Sequence, residues 1–559
     1  MSTIAASFGR RLCVSAAACV LVLCGGVSAS AAKPVFSGED AASSGTSAVS
    51  AARAGWGAGV EAVLPANAVG DQAFVDSVSC PSAGNCSAVG SFYDSSEKYE
   101  GLLMTETAGT WASGVAAVLP ANANPNPGVL LNSVSCASAG NCSAVGEYTD
   151  SSGIVQGLLL TETAGSWATG VEAVLPANAT PNEGAGLDSV SCASAGNCSA
   201  AGLYIDSSNR IHGLLLTETA GTWSVGEEPT LPANASDQPE VTLSSVSCAS
   251  AGNCGAVGHY DSSGGCQALL LTETAGTWAT GVGALPADAS GCLTASISCP
   301  SAGNCSAAAD RTLLTETVGA WATGVETVLP ANACPVGPGP GQCDSAGGLT
   351  DSISCASVGN CVALGEYTDS SGDGQGLLLT ETAGTWGAGV EAPLPVNAKS
   401  SGGALSSVSC ASAGNCVAVG NYGSGSASGL LLTETAGQWT AARAALPANV
   451  AGYAQLNSVS CASAGNCSAV GEYTDSSGNY HGVLLDSHPL PPCLVPKLKG
   501  KTLSAARRSI RSHACSVGRT KHTASQAIKR GHVISQKPKP GKRLPHGARV
   551  SLLVSRGRR

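Results

Sequence analysis

Residues 111–166 read WASGVAAVLPANANPNPGVLLNSVSCASAGNCSAVGEYTDSSGIVQGLLLTETAGS. Four short strands are legible in this stretch. The first is L-x-S-V-S-C, the second N-C-S-A-V-G-x-Y, and the third G-L-L-L-T-E-T. The fourth begins at T-W and runs through G-V-x-A. Turn residues separate them: A-S-A-G, T-D-S-S-G, A-G, and L-P-A-N-A after the last. The Leu triplet does not alternate with polar residues, so both faces of the third strand are expected to be covered. Helical periodicity is absent.

The stretch recurs eight times, with units opening at Trp56, Trp111, Trp167, Trp223, Trp278, Trp321, Trp386 and Trp439, which are the protein's 8 Trp. A period near 50 residues points to a propeller, a solenoid or an array. Four strands per repeat match an all-β fold, an eight-bladed β-propeller over residues 56–490. The ends of the array support closure. The chain enters with a lone fourth strand at Trp56 and leaves after the third strand of the last unit, near Leu485. The N-terminal strand is therefore expected to complete the last blade and remove an exposed edge.

The whole chain has 559 residues, with 72 Gly, 12% charged and 4% aromatic residues. Low charge argues against disorder and a coiled coil, and Gly without a three-residue period excludes collagen. Residues 1–31 read as an export signal: Arg10 and Arg11, then an apolar run from Leu12 to Cys24, then Ala29-Ser30-Ala31 as a cleavage site. That run is too short to span a bilayer, and no later segment is long and apolar enough to do so. A lipoprotein signal and folded-state export are weaker readings. Residues 32–55 are an Ala/Ser-rich linker.

Cysteine usage fits an exported chain. Three of 25 Cys lie in the leader. Sixteen form eight C-x5-C pairs: Cys80/Cys86, Cys136/Cys142, Cys192/Cys198, Cys248/Cys254, Cys299/Cys305, Cys355/Cys361, Cys410/Cys416 and Cys461/Cys467. The remaining six are assigned as Cys334/Cys343, Cys493/Cys515 and Cys266/Cys292. Each C-x5-C bridge would staple a hairpin at its turn. A loop this short gives roughly 2 kcal/mol in the chain-entropy model, which would offset a core built mainly of Ala, Val, Ser and Leu. The spacing and the scarcity of His disfavour zinc, and no metal or cofactor is expected.

T-E-T-A-G-T-W loosely resembles the Asp-box of sialidase-type propellers, with Glu in place of Asp and one residue fewer before Trp. The whole unit resembles the SxxC/NCxAVG/W repeats of secreted actinobacterial propeller-like proteins. Both resemblances bear on fold alone.

Residues 491–559 differ in kind. They hold 18 Lys or Arg and no Asp or Glu, whereas the rest of the chain has 9 basic and 38 acidic residues. A helix is expected over Ser504–Ser512, with strands near Ser516–Gly518, His532–Ser535 and Arg549–Val554. The residues V-P-K-L-K-G-K-T-L-S-A-A (Val495–Ala506), G-H-V-I-S-Q-K-P-K-P-G (Gly531–Gly541) and H-G-A-R-V-S-L-L-V-S-R-G (His546–Gly557) resemble the PASTA domain. That resemblance implies a small α+β module and peptidoglycan as the partner, while the tail's charge fits an anionic wall polymer. Candidate contacts are Lys497, Lys499, Arg519, Lys521, Lys537, Lys539, Lys542 and Arg543.

No catalytic constellation is expected. Glu106, Glu162, Glu218, Glu273, Glu316, Glu381 and Glu434 recur in T-E-T, and a residue repeated in seven units reads as part of a hairpin, not as one of two differentiated glycosidase carboxylates. Asp150, Asp369 and Asp475 of T-D-S-S-G read as polar turns, not a calcium loop. There is no G-x-S-x-G and no phosphate loop. The basic tail has no aromatics to stack on bases, which disfavours nucleic acid. The expectation is a secreted, wall-associated, non-catalytic binding protein, its propeller facing an unknown protein or glycan. A polysaccharide glycosidase or lyase and a purely structural surface protein are the alternatives. Any asymmetric pocket is expected near the irregular fifth and sixth units.

Overall fold

The structure is a computed structural model. It describes residues 55–179, 184–283, 295–309, 311–335, 347–396, 398, 402–423, 427–487, 493–513, 515–544 and 548–558. The export signal and all but the last residue of the linker lie outside these. Among the described residues no helix is long and apolar enough to cross a membrane.

The described residues of 55–487 are all-β. They form eight antiparallel sheets of four or five strands, consecutive in sequence in all but the eighth. Sheet 2 is representative, with strands Leu130–Ser138, Asn141–Thr149 and Val155–Thr163, followed by Ser166–Trp167 and Val171–Glu172. In the eighth sheet (Val450–Ser463, Asn466–Asp475 and Tyr480–Asp486) the fourth place is taken by Val60–Glu61, from the start of the array. Val60 lies opposite Leu484, and Glu61 opposite Val483.

The repeat residues account for each sheet. Leu158, Leu159 and Leu160 are all buried, as an apolar strand covered on both faces should be. Gly140 of A-S-A-G takes φ of +70°, a left-handed turn conformation that Gly adopts without a Cβ penalty. Gly146 is required for a different reason. A Cβ there would lie 1.9 Å from the Leu130 carbonyl oxygen of the adjoining strand.

The fourth strand is not the single strand expected from sequence. In sheet 2 it pairs as two short pieces, at Ser166–Trp167 and at Val171–Glu172. Between them Gly170 donates its N–H to the Val118 carbonyl of the preceding sheet, and Gly114, Gly226 and Gly389 do the same at their own junctions. Sheet 7 lacks this detour, and there Gln438–Arg443 runs unbroken.

Eight disulfides join the first two strands of the sheets: Cys80–Cys86, Cys136–Cys142, Cys192–Cys198, Cys248–Cys254, Cys299–Cys305, Cys355–Cys361, Cys410–Cys416 and Cys461–Cys467. Their Cα atoms are close, 4.0 Å apart in Cys136–Cys142. Cys493–Cys515 is a ninth bridge, in the tail. Cys266 and Cys334 are disulfide-bonded too, but their expected partners Cys292 and Cys343 lie outside the described residues.

The pairing matches the sequence reading, each bridge spanning the hairpin of the first two strands. The second Cys of each pair, Cys86, Cys142, Cys198, Cys254, Cys305, Cys361, Cys416 and Cys467, is buried, at most 4% exposed. The reason is their strand, which lies between two others of its own sheet and also packs against the sheet before. Cys86 Sγ lies 3.3 Å from Ser468 Oγ, Cys142 Sγ 3.3 Å from Ser87 Oγ, and Cys254 Sγ 3.4 Å from Ser199 Oγ. Cys198 and Cys361 repeat the contact with Ser143 and Ser306. These Cys are therefore structural parts of the sheet-to-sheet packing and not residues of a surface site.

The two Ser of S-V-S-C also join sheet to sheet. A first strand is an edge, and alternate N–H groups point away from its own sheet. Ser77 Oγ of sheet 1 accepts from Val134 N of sheet 2 at 3.2 Å, and Ser79 Oγ accepts from Cys136 N at 3.0 Å. The same pair of bonds recurs from each sheet to the next. Ser458 and Ser460 of sheet 8 then accept from Val78 and Cys80 of sheet 1, at 3.3 and 3.0 Å.

The tail folds around one helix, Leu503–Arg511, capped by Thr502, whose hydroxyl accepts from Ala505 N. Ala506 and Ile510 pack with Val533, Val550, Leu552 and Val554 of a three-stranded sheet. That sheet sets Arg549–Ser555 between Ser516–Thr523, which is parallel to it, and Val533–Lys537, which is antiparallel. The strands near residues 516 and 533 run longer than the sequence suggested.

Candidate functional site

The tail's basic residues fall into two groups. The first is on the sheet. Val550, Leu552 and Val554 are buried toward the helix, so the residues between them occupy the open face. Lys521 pairs with Leu553, and Lys537 with Ser551, which puts both lysines on that face with Arg549. Arg519, two residues before Lys521, shares its side, and all four are exposed or half-buried. The sequence did not single out Arg549. Its central place in the sheet is set by a parallel pairing between segments some thirty residues apart, which no local pattern announces.

The second group lies on two loops. Lys497 and Lys499 follow Cys493–Leu494, while Lys539 and Lys542 follow Lys537. Backbone bonds from Val495 N to Lys542 O and from Gly541 N to Val495 O hold these loops together. Gln536 reinforces them by accepting from Leu498 N at 2.7 Å and donating to Pro496 O at 2.8 Å. All four lysines are exposed. Arg543 begins a two-residue strand beside Cys493–Leu494. With no acidic residue in the tail, this surface is an uncompensated positive field.

The recurring Glu lies in a hairpin, as its sequence suggested, with Glu162 opposite Trp167. Its side chain is buried. Glu162 accepts from Ser87 Oγ at 3.1 Å and Thr105 Oγ1 at 3.4 Å of the preceding sheet, and Glu218 does the same with Ser143 and Thr161. All seven are at most 4% exposed, and burial raises the pKa of each. Glu106 is pushed to about 8, by burial first and then by Asp486.

The T-D-S-S-G carboxylates close turns. Asp150 Oδ1 accepts from Ser152 N and Ile154 N, and Gln156 donates to its Oδ2. Asp369 repeats this with Gln375, and Asp475 is met by His481. At Asp150 burial works to raise the pKa, and the hydrogen bonds together outweigh it. The Gln375 amide is the main cause of the lowering at Asp369, and the Asn479 backbone N–H at Asp475. Among the described residues no three His, Cys, Asp or Glu side chains are grouped as a metal site would need.

Among the described residues the clearest asymmetry is at the junction of sheets 8 and 1. The pocket expected near the irregular fifth and sixth units falls largely on residues 284–294 and 336–346, which lie outside the described residues. At the 8–1 junction the rings of Phe74 and Tyr480 are 5.2 Å apart, Phe74 and Tyr99 6.2 Å, Tyr93 and Tyr99 4.9 Å, and Tyr453 and Tyr480 6.4 Å. Asp76 and Glu472 adjoin them. Burial pushes Asp76 to about 7, and burial followed by the Asp76 charge pushes Glu472 to about 8. Asn457 Nδ2 donates to Glu472 Oε2 and to the Val75 carbonyl.

The tail is thus a compact α+β module with a basic sheet face and a basic loop pair. Residues 494–556 match the family model of the PASTA domain, and the C-terminal part of the chain is a PASTA domain. A curated relative is a probable serine/threonine-protein kinase of Clostridium acetobutylicum, 38% identical over 63 residues, or 11% of this chain and 10% of that protein. The chain therefore spans about a tenth of the length of the curated relative it matches. Among solved structures, the repeats are similar to a Hadza microbial sialidase (11% identity, 66% of each chain, TM-score 0.36). They are also similar to an ulvan lyase of a polysaccharide lyase family (10% identity, 77% of this chain and 96% of that one, TM-score 0.37). A fucose-binding lectin from Aleuria aurantia is a third (14% identity, 60% and 100%, TM-score 0.29). Likenesses this remote say nothing of activity.

Proposed function

We propose that this is an exported, envelope-associated binding protein without catalytic activity. In this reading residues 55–487 are a closed eight-bladed β-propeller that serves as an interaction platform. The C-terminal PASTA domain holds it to peptidoglycan or to an anionic wall polymer.

Closure is supported by the Ser-to-backbone bonds that lead from each sheet to the next and from the eighth to the first, and by Val60–Glu61 lying beside Tyr480–Asp486. Export is supported by the leader and the disulfides, which persist in an oxidising compartment. A binding role over a catalytic one is supported by the recurring Glu: all seven are buried, and Glu162, Glu218, Glu316 and Glu381 accept from hydroxyls of the preceding sheet.

The observation that carries the wall contact is the charge division. The tail has 18 basic and no acidic residues, while the remainder has 9 basic and 38 acidic. An anionic polymer would be drawn to the tail and repelled by the body. Co-sedimentation of the mature protein with purified sacculi tests this, using native sacculi and sacculi stripped of anionic polymer across a salt series. Binding to stripped sacculi that persists at high salt assigns the contact to peptidoglycan. Binding lost with stripping or salt assigns it to anionic polymer. No sedimentation with either preparation contradicts the wall-binding role.

A further inference from the structure

The 8–1 junction departs from the repeat in several independent ways. First strands elsewhere run 7 to 11 residues, but Ala68–Ser82 has 15 and Val450–Ser463 has 14. The aromatic residues there stand where other sheets place none. By pairing register Phe74 corresponds to Leu130, and both Tyr99 and Tyr480 correspond to Val155. The fold therefore accommodates aliphatic residues at these places and does not require rings.

The rings form a continuous row, Tyr93–Tyr99–Phe74–Tyr480–Tyr453. None is fully buried, and Tyr93 is 36% exposed. Beside the row lies a hydrogen-bonding border. Tyr453 OH donates to Gln455, Asn421 Nδ2 donates to Gln455 Oε1 at 3.3 Å, and Asn457 bonds Glu472. Half-buried rings, with Tyr93 exposed at one end, and the amides of Gln455 and Asn457 at their border fit the two faces of a sugar: C–H groups that lie on an aromatic ring, and hydroxyls that exchange hydrogen bonds at the edge. A row of this length suits several linked pyranoses, not one small group.

Charge narrows the class. The Asp76 charge acts on Glu472, both act on Tyr99, and no basic side chain contributes at either carboxyl. Lys98, nearby in sequence, acts instead on Asp94 and Glu100. Among the described residues of the repeat region the basic side chains other than His are Lys98, Arg210, Arg311 and Arg443, which gives no cluster to receive a uronate or another acidic sugar.

We propose that the junction of sheets 8 and 1 is a carbohydrate-binding site for an uncharged pyranose oligosaccharide, laid along the ring row with its hydroxyls on the amides of Gln455 and Asn457. This rests on reading the propeller as a binding platform and is independent of what the tail contacts.

The test is calorimetric titration of the mature protein with cellohexaose, N-acetylated chitohexaose and hexagalacturonate, each to millimolar concentration. At least one uncharged hexamer binds, and hexagalacturonate does not. Tyr480→Val and Phe74→Leu install aliphatic residues that the fold holds at the same places in sheet 2, so both variants keep the wild-type unfolding transition. Each weakens binding tenfold or more, while Tyr480→Phe retains it. Binding by neither uncharged hexamer, tighter binding of hexagalacturonate, or unchanged affinity in Tyr480→Val and Phe74→Leu overturns the proposal. Because ligands are soluble and substitutions are confined to the repeats, these outcomes leave the sacculus result of the tail untouched.

Discussion

At the residue scale, the repeat motifs join sheet to sheet through buried polar groups. Ser133 Oγ satisfies Val190 N, which would otherwise be an unpaired donor on a strand edge. Ser133→Ala is expected to lower stability by about 1 kcal/mol in urea unfolding. Glu106 gives a pH signature. Its folded pKa is raised from 4.5 to about 8, so the stabilisation is fully present below about pH 4.5 and is lost as pH rises toward 8. Stability should therefore decline across that window, and Glu106→Gln should flatten the decline, as read by unfolding midpoints from pH 5 to 8. His481 bridges Glu61 at 3.0 Å and Asp475 at 3.3 Å. Gln156 and Gln375 meet the equivalent Asp150 and Asp369. His481→Gln should accordingly be tolerated and His481→Leu should destabilise, measured by thermal unfolding.

At the element scale, a sheet is a stapled meander, and only the eighth takes its outer strand from elsewhere in the chain. Replacing both Cys192 and Cys198 with Ser is expected to cost roughly 2 kcal/mol and leave the other sheets folded. Hydrogen exchange should localise the change to Ala185–Ile205. Much of this level is legible in sequence, because strands and turns are specified locally: S-V-S-C and N-C-S-A-V-G alternate or pair around a short Gly turn. The C-x5-C spacing announces each bridge for the same reason. It does not announce that Cys198 or Cys254 is buried against the preceding sheet, because the Ser each one meets lies 55 residues earlier. The break in the fourth strand is hidden too. Gly170 leaves its own ladder for a carbonyl in the neighbouring sheet, and the unit's own sequence does not name that acceptor. The role of Ser133 and Ser135 is hidden likewise, since their partners lie 57 residues onward. The ring row is hidden by still greater separation, although one signal is available: Phe74, Tyr99 and Tyr480 are aromatics at positions the other repeats fill with aliphatic or small residues.

At the scale of the whole molecule, an acidic repeat body is joined to a basic PASTA domain. The sequence-derived basic residues divide between the sheet face (Arg519, Lys521, Lys537) and the loop pair (Lys497, Lys499, Lys539, Lys542), and the structure adds Arg549 to the former. Composition reveals the charge, but only the parallel pairing of Ser516–Thr523 with Arg549–Ser555 shows which charges act together. The most direct test of wall anchoring is sacculus co-sedimentation of the mature protein beside a variant carrying Arg519→Gln, Lys521→Gln, Lys537→Gln and Arg549→Gln. None of these side chains is buried, so the variant should fold normally. Wall anchoring through the sheet face requires that wild type sediments with sacculi and that the variant's affinity falls at least tenfold. Equal sedimentation of the two proteins, or of neither, would contradict it.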